Sequence, residues 1–561
     1  MATDSDRRMP DGPSPERPPL SPLAANALAA AGLLVVLVLR FGGVMSERLD
    51  HDEHQFIASG VLLARRGLRP YHDYPYFHVP YLVYVYAALT RISDHLLFIT
   101  RTFCVLCGVA TVAVTCWATT RLFAGAERRR RLALAWAAGA LLICNPIFIF
   151  TSGRAWNHDL PTLLTLLAFF AAVRGIRDMR DMRDVRGMRD VRGGGMLLLT
   201  CGLLMGLSVG TRLTFAPPAL AMIAAPWLPA ARPGVGRKLR LTICYLAGLF
   251  IALVPLLITA GHDPAQFIFG NLVYPRLNTS FRDATGYAKS MGAGGKIAYL
   301  LRDILVQPAT LCAVALLVIT AWLARRQRRR ERYAERASLA APVALPIQLL
   351  MLLNFTMIVA AVAPTPLWVP YFFTPMVFLL LLGVYCAAVA WTEPAARQLL
   401  SKAIVVCVII DAAVAAGSYR NVLRMWNPDA WVPMQLHRTG VDLARRCGAE
   451  TRVLTVMPTV ALEGRLDVFE QLATGPFALR IAPALDPLQR RRMHLAEPAE
   501  LANAFWSCPD AVVLTGRDAY EDRILLDAVG PDRLDRQDLP GPLLLWTPRR
   551  TSRDNAADGA P

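Results

Sequence analysis

Acidic and histidine side chains cluster directly after the first apolar run of the chain. The stretch 49–60 reads LDHDEHQFIASG, and it follows twenty mostly apolar residues at 25–44. A carboxylate in such a place is able to take a proton from a hydroxyl group during a transfer reaction. Asp52 and Glu53 are therefore candidate catalytic residues. A solvated helix cap is the ordinary alternative for an acidic pair of this kind.

Further charged residues stand where other apolar runs begin or end. Arg154, His158 and Asp159 occur in TSGRAWNHDLPTLL, and Arg212 occurs in SVGTRLTFAPP. If the apolar runs form a bundle, these positions meet at one level, where a cationic clamp for a departing phosphate faces the carboxylates. The alternative for Asp159 is a helix N-cap. The alternative for Arg212 is an end-anchor whose charge reaches the membrane surface.

The composition places these residues in a polytopic membrane protein. Of the 561 residues, 55% are hydrophobic, and the apolar residues come in long blocks. A spanning helix needs about 20 such residues. We predict eleven spans, at 24–44, 96–123, 132–152, 159–174, 196–211, 213–230, 241–260, 304–324, 341–363, 370–391 and 401–418.

The positive charge of the chain indicates orientation and not a nucleic-acid partner. The net charge is +18, and the basic residues form short clusters between apolar runs. By the positive-inside rule these clusters lie in the cytosol. The opposite side then receives the loop 45–95, the loop 261–303 and the tail 419–561. We predict a multi-pass protein of the inner (plasma) membrane, with its active site and its tail on the periplasmic or extracellular side.

Three parts of the chain differ in composition. Residues 1–23 are polar and rich in proline, which predicts a disordered cytosolic N-terminus. Residues 24–418 form the transmembrane catalytic domain. In the tail 419–561, short β-like runs at 451–458 and 510–516 alternate with charged helical stretches, which predicts a soluble α/β domain. In the first loop, apolar and aromatic residues at helical spacing in 79–92 predict an amphipathic helix at the membrane interface. The loop would then consist of two surface helices joined by a turn rich in proline, tyrosine and histidine.

The motifs of the first loop and of later spans resemble the GT-C glycosyltransferases. The resemblance rests on the acidic pair after the first span, on GLRPY and HVPYLVY, on Arg101, on NHDLPTLLTLLAFFAA and on WVPYFFTPMVFLLLLG. The most similar branch is that of the aminoarabinose transferases and RgtA-like enzymes, which is related to protein O-mannosyltransferases. Residues 45–220 resemble it most. The family's Lys-Pro-Pro-Leu element reads His78-Val79-Pro80-Tyr81 here, which hints at a different acceptor.

This resemblance implies an inverting glycosyltransferase that takes a sugar from a polyprenyl-phosphate donor. Asp52 would be the catalytic base, and Glu53 would support it. The implied substrate-binding residues are Asp159, His158, Arg154, Arg212, His78, Tyr81 and Asp73. Tyr274, Arg276 and Lys289 are candidates for a lid over the substrate. No cofactor is expected, although His51, His54, His72 and His78 of the first loop leave a divalent metal open.

The expected partners are the lipid bilayer, a polyprenyl-phosphate-linked sugar, and a lipid, glycan or protein acceptor in the cell envelope. Two other functions stay open from the sequence. A transporter or flippase of a lipid-linked saccharide would carry ionisable residues near the membrane midplane, and Asp411 is the main example here. A ligase with a pyrophosphate donor would need more arginine on the non-cytosolic side than the sequence has.

Overall fold

The computed structural model describes residues 21–181, 188–286, 291–333, 341–516 and 519–549. Most of the predicted disordered N-terminus, residues 1–20, lies outside this part of the chain, and so does Lys289 of the predicted lid. The described chain is mainly helical up to residue 416, and a small sheet follows in its last hundred residues.

The helical part begins with a span and continues through short and long helices in turn. Its helices are α1 (Pro22–Met45), α2 (His51–Arg66), α3 (Tyr81–Leu89), α4 (Leu96–Leu122), α5 (Arg128–Ile143), α6 (Pro146–Thr151), α7 (Asp159–Asp181), α8 (Met188–Thr211), α9 (Ala216–Met222), α10 (Val235–His262), α11 (Pro264–Ile268), α12 (Tyr274–Thr285), α13 (Ala293–Tyr299), α14 (Pro308–Tyr333), α15 (Ala341–Val362), α16 (Phe373–Ala390) and α17 (Pro394–Ala416). Among the described residues, nine helices are long and apolar enough to cross a membrane: α1, α4, α7, α8, α10, α14, α15, α16 and α17. The predicted class of polytopic helical membrane protein is confirmed.

Two of the eleven predicted spans are interrupted. The segment 132–152 divides into α5 and α6, because the Asn145 side chain accepts the Ile147 amide hydrogen at 2.9 Å and starts a new helix at Pro146. The segment 213–230 consists of α9 flanked by 3-10 turns, and its prolines remove hydrogen-bond donors that a longer helix needs. The predicted loop 261–303 is also different, because its described residues are largely helical.

Glycines at four-residue spacing bring α8 into backbone contact with α10. A Cβ atom on Gly202 would lie 2.0 Å from the carbonyl oxygen of Tyr245, and one on Gly248 would lie 2.0 Å from that of Leu199. Gly206 continues the same face against Ala252. Small residues at this spacing let membrane helices approach closely and pack through van der Waals contact. The α8–α10 pair therefore depends on the absence of side chains at these positions.

The first loop forms two helices, as predicted, but other parts of the protein cover them. Most residues of α2 from Glu53 to Leu62 are buried, and so are Leu82 and Tyr86 of α3. Their apolar side chains share one hydrophobic cluster with the last part of the chain. The apolar face of this amphipathic pattern therefore packs against protein.

The residues after α17 form the predicted α/β unit, here called the C-terminal domain (432–549). Its elements are α18 (Val432–Cys447), β1 (Arg452–Leu454), α19 (Pro458–Glu463), β2 (Asp467–Val468), α20 (Pro476–Ile481), α21 (Pro487–Arg492), α22 (Pro498–Trp506), β3 (Ala511–Thr515), α23 (Ala519–Val529), β4 (Leu534–Asp538) and β5 (Leu544–Pro548). The strands form one sheet in the order β2-β1-β3-β5-β4. β1, β2 and β3 are parallel, whereas β5 is antiparallel to both of its neighbours.

Gly248→Leu is expected to destabilise the protein by about 3 kcal/mol or more, at the upper end of overpacking effects, because the new side chain meets rigid backbone. Gly236→Leu is the matched control. It lies on the same helix, and a Cβ atom there meets nothing within 4 Å. Thermal unfolding in detergent, followed by circular dichroism, measures both. Equal midpoints for the two variants would contradict the close α8–α10 contact.

Candidate active site

The acidic stretch after α1 starts helix α2 through a capping box. Asp50 is the N-cap, and its Oδ1 accepts the Asp52 amide hydrogen at 2.9 Å. The Glu53 carboxylate in turn accepts the Asp50 amide hydrogen at 3.0 Å. Asp52 therefore lies in the first turn of α2, where the free N–H groups and the helix dipole favour a negative charge.

Glu53 forms an ion pair with Arg101 of α4, and both side chains are 0% exposed. The two hydrogen bonds measure 2.8 Å from Nε and 2.6 Å from the second guanidinium nitrogen. The Ala155 amide also donates to this carboxylate, at 2.9 Å. Burial raises the pKa of Glu53, but the charge and hydrogen bonds of Arg101 outweigh it and lower the pKa to about 2. Glu53 is thus fixed as an anion that organises the site.

Asp52 has a different environment from its neighbour. Its side chain is half-buried, and burial raises the pKa of its carboxyl. Asp50 adds to this effect, whereas His51, Arg282 and Arg480 act in the opposite direction without cancelling it. A carboxylate with a raised pKa holds an accepted proton better than an ordinary aspartate does. These properties suit a general base.

Arg212 lies in the turn after α8 and is held by neutral groups. It donates to Asn157 Oδ1 at 2.7 Å, to His158 Nε2 at 2.7 Å and to Thr214 Oγ1 at 3.0 Å. Its guanidinium also lies 5.4 Å from the ring centre of Tyr371. Burial and the charge of Arg212 keep the pKa of His158 well below its usual range, so the imidazole is neutral and accepts the hydrogen bond. Burial also lowers the pKa of Arg212.

A pocket with about 350 Å³ of empty space opens beside this arginine. His158, Arg212, Thr214, Tyr371 and Thr374 provide its polar side. The other wall is apolar and comes from the turn before α9, from α9 itself and from α15: Phe215, Pro218, Met357, Ala360 and Ala361. The charge of Asp52 acts on both Arg212 and Tyr371, which belong to this polar side. A charged head with a hydrocarbon tail matches this division of the pocket.

Solved structures share this architecture. ArnT, the aminoarabinose transferase of Cupriavidus metallidurans, matches with a TM-score of 0.59 in the apo state, at 14% identity over 93% of this chain and 98% of that chain. The same protein bound to undecaprenyl phosphate matches with a TM-score of 0.57, at 15% identity over 94% and 98%. No family model and no curated protein matches the sequence. The chain has the GT-C fold. The sequence resemblance is thereby confirmed at the level of the fold.

Two arginines near Asp52 were not predicted from the sequence. Arg282 of α12 is 8% exposed and lies over the Trp368 ring at 5.0 Å. Arg480 of α20 is 4% exposed and donates to Glu521 at 2.7 Å. The charges of both arginines act on Asp52. The sequence does carry a signal for Arg480, which is the single arginine in the apolar run PFALRI. An arginine is seldom fully buried unless it is paired with another group.

Two of the predicted substrate-binding residues, Asp159 and Arg154, bond to other groups of the protein. The Asp159 carboxylate is fully buried and accepts from Ser152 Oγ at 2.7 Å and from the Gly153 amide at 2.8 Å, which closes the turn before α7. Arg154 pairs with Glu47 at 3.2 Å and donates to the Phe150 carbonyl group. Direct substrate binding by Asp159 and Arg154 stays a prediction.

Three predicted residues of the first loop lie at different depths. His78 is brought close to Arg212, and burial together with this charge lowers its pKa to about 3. Tyr81 instead fits against Gly210 of α8 and accepts the Leu256 amide hydrogen at 3.2 Å, so it packs between helices. Asp73 accepts the amide hydrogen of Arg69 at 2.6 Å within a local turn. Of these three, His78 is the one placed beside Arg212.

The predicted lid residues differ in their surroundings. Tyr274 is buried, stacks on Phe77 with ring centres 4.1 Å apart, and lies 6.3 Å from the ring of Phe477. It therefore belongs to the aromatic cluster beside Asp52, and burial raises the pKa of its hydroxyl. Arg276 is exposed on α12. Lys289 falls outside the described residues.

The histidines that are candidate metal ligands from the sequence bond to different partners. His54 bonds to Thr459 at 2.9 Å, and His72 lies 3.3 Å from Asp263. Within the described ranges, Asp50, His51 and Asp52 bring three possible ligand atoms within 4.8 Å of one another. Asp50 is already committed to the cap of α2. The steps proposed below use no metal.

Glu53→Gln is expected to destabilise the protein by about 3–5 kcal/mol, because it leaves Arg101 buried without a counter-charge. Since folding lowers the pKa of Glu53 from 4.5 to about 2, its stabilising effect is complete above pH 4.5 and is lost as the pH falls through the folded-state pKa. Thermal unfolding in detergent at neutral pH measures the loss.

The control for this variant is Glu47→Gln. Glu47 is 48% exposed and pairs with Arg154 near the surface. Its removal is expected to cost less than about 1 kcal/mol. A Glu53→Gln protein as stable as the Glu47→Gln protein would show that the buried ion pair does not hold the site together.

Proposed function

We propose that this chain is an inverting membrane glycosyltransferase. It would move a sugar from a polyprenyl phosphate to a hydroxyl group of an envelope lipid, glycan or protein on the non-cytosolic face. The observation that carries the proposal is the electrostatic interaction of Asp52 with a half-buried arginine, Arg212, which lines a pocket that also has an apolar wall. The fold shared with ArnT, one of whose structures contains undecaprenyl phosphate, supports the same donor class.

The donor would bind with its phosphate at Arg212 and its hydrocarbon chain along the apolar wall. A guanidinium suits phosphate because its N–H groups match the phosphate oxygens. His158, Asn157 and Thr214 hold the arginine through neutral contacts, and among the described residues no carboxylate is in hydrogen-bond contact with it. Such a charge stabilises a dianion better than it stabilises a phosphodiester.

Transfer would proceed in one displacement at C1 of the sugar. Asp52 accepts the proton of the acceptor hydroxyl, whose oxygen forms the new bond to C1 from the face opposite the phosphate. The bond between C1 and the phosphate oxygen breaks, and the electron pair leaves with polyprenyl phosphate. Arg212 stabilises the charge that grows on this leaving group. The configuration at C1 is inverted because a single displacement takes place.

Asp52→Asn is expected to lower the rate by a factor of about 100 or more, because the general base is lost. The assay measures polyprenyl phosphate released from a panel of polyprenyl-phosphate sugars, and the thermal midpoint checks the fold. Wild-type activity should also fall as the pH drops through the raised pKa of Asp52, above the ordinary 3.8.

The control is Asp94→Asn, which removes a surface carboxylate paired with Arg65 and Arg465 and should leave the rate unchanged. An Asp52→Asn enzyme as fast as wild type would exclude Asp52 as the base. If wild type releases no polyprenyl phosphate from any donor, the transferase proposal fails, and the flippase alternative is the one to test.

Arg212→Gln is expected to lower kcat by a factor of about 100 or more, because a preorganised donor to the leaving phosphate is lost. Arg212→Lys should recover part of the rate, since it keeps the charge but not the planar group. Arg154→Gln is the comparison for the second predicted phosphate ligand, whose guanidinium already pairs with Glu47. A larger loss for Arg154→Gln than for Arg212→Gln would move the phosphate site to Arg154.

A further inference from the structure

A second cavity lies within the membrane domain, among five of its helices and apart from the residues of the candidate active site. It contains about 560 Å³ of empty space, part of it open to the surroundings, between α4, α5, α14, α16 and α17. We propose that this cavity binds the hydrocarbon chain of one membrane phospholipid with an anionic headgroup. The site is independent of the glycosyl transfer proposed above.

The lining of the cavity suits hydrocarbon and not water. Nearly all of it is aliphatic, with leucines such as Leu134, Leu316 and Leu380 on three of the helices. Its two hydroxyl groups are already used, because Thr119 donates to the Thr115 carbonyl and Thr320 donates to the Leu317 carbonyl. A water molecule in a protein needs two to four polar partners, and these walls do not provide them.

A glycine keeps part of the space open. Gly383 lines the cavity in the middle of α16, and a Cβ atom there would meet nothing within 4 Å. Glycine inside a helix is unfavourable by roughly 0.5–1 kcal/mol relative to alanine. An unfilled apolar void also loses packing energy. In a bilayer the chain of a neighbouring lipid is the available group that restores these contacts.

Arginines at the end of the cavity determine which lipid fits. On α14 the lining residues Leu316 and Thr320 lead, at four-residue spacing, towards Arg328, and on α5 Leu134 lies one turn from Arg131. In the described part of the chain, Nε of Arg328 is buried without a hydrogen-bond partner. A phosphate oxygen would satisfy this donor and bring the complementary charge.

The position of the α14 arginines relative to α16 agrees with this assignment. Arg325 and Arg328 lie close enough to Cys386 for their charges to act on its thiol, and Cys386 is one turn beyond Gly383. A lipid whose chain fills the space at Gly383 would therefore have its headgroup within reach of Arg328. Arg326 of the same cluster lies instead over the ring of Trp322, which faces outward.

The test is native mass spectrometry of the full chain purified in mild detergent, with the headgroup of the retained lipid identified after extraction. We expect one anionic phospholipid on wild type and its loss from Gly383→Leu, whose side chain fills the cavity. Gly43→Leu is the matched control. It adds the same side chain to a spanning helix, at a position where a Cβ atom also meets nothing within 4 Å, and it should retain the lipid.

A second variant keeps the proposal testable if Gly383→Leu does not fold. Arg131→Gln combined with Arg328→Gln should lose the preference for anionic over zwitterionic phospholipid, whereas Arg326→Gln should keep it. Added anionic phospholipid should raise the thermal midpoint of wild type and not that of the double variant. A wild-type protein that retains no lipid, a zwitterionic lipid or polyprenyl phosphate would overturn the proposal. So would equal retention by wild type and Gly383→Leu.

Discussion

The buried ion pair between Arg101 and Glu53 is the interaction on which the geometry of the site depends. Besides Glu53, the Arg101 guanidinium donates to the carbonyl groups of Val44 and Glu47 at 2.8 Å and of Arg48 at 3.0 Å. One side chain of α4 therefore holds the end of α1, the turn that follows it and the first turn of α2. Because Asp52 lies in that first turn, the orientation of its side chain depends on hydrogen bonds made by Arg101 and not by Asp52 itself.

The C-terminal domain extends this arrangement and completes it. Glu463 of α19 accepts the Leu97 amide hydrogen at 2.9 Å, and so caps the first turn of α4, one turn before Arg101. From the other side, α20 places Phe477 5.5 Å from the His51 ring and Arg480 near Asp52. The domain therefore supports the helix that positions Asp52 and also supplies charge beside it. It is a structural part of the site, and an independent appended module would not need these contacts.

The sequence predicts the parts of this protein that follow from local rules. Span lengths follow from the thickness of the bilayer, α2 follows from its capping residues, and the strands β1 and β3 follow from their β-branched residues. The burial of α2 and α3 could not be predicted, because an amphipathic helix has the same pattern under a protein domain as under lipid headgroups. Arg282 and Arg480 come from distant segments, so their approach to Asp52 depends on tertiary packing alone. The breaks in the two interrupted segments were predictable in principle from their prolines. The total hydrophobicity of these segments instead favoured continuous spans.

The adjacent residues Asp52 and Glu53 show why residue type alone does not assign a role. Both are carboxylic acids in the same helical turn, and both lose water on folding. Glu53 receives a guanidinium in direct contact, so its pKa falls to about 2 and it cannot act as a base at neutral pH. Asp52 has positive charges nearby but less compensation for its burial, so its pKa rises. The same helix start thus provides one carboxylate that stays charged and one whose raised pKa suits proton transfer. Exchanging the two environments would exchange the two roles, because each role is set by the distance to an arginine and not by the carboxyl group itself.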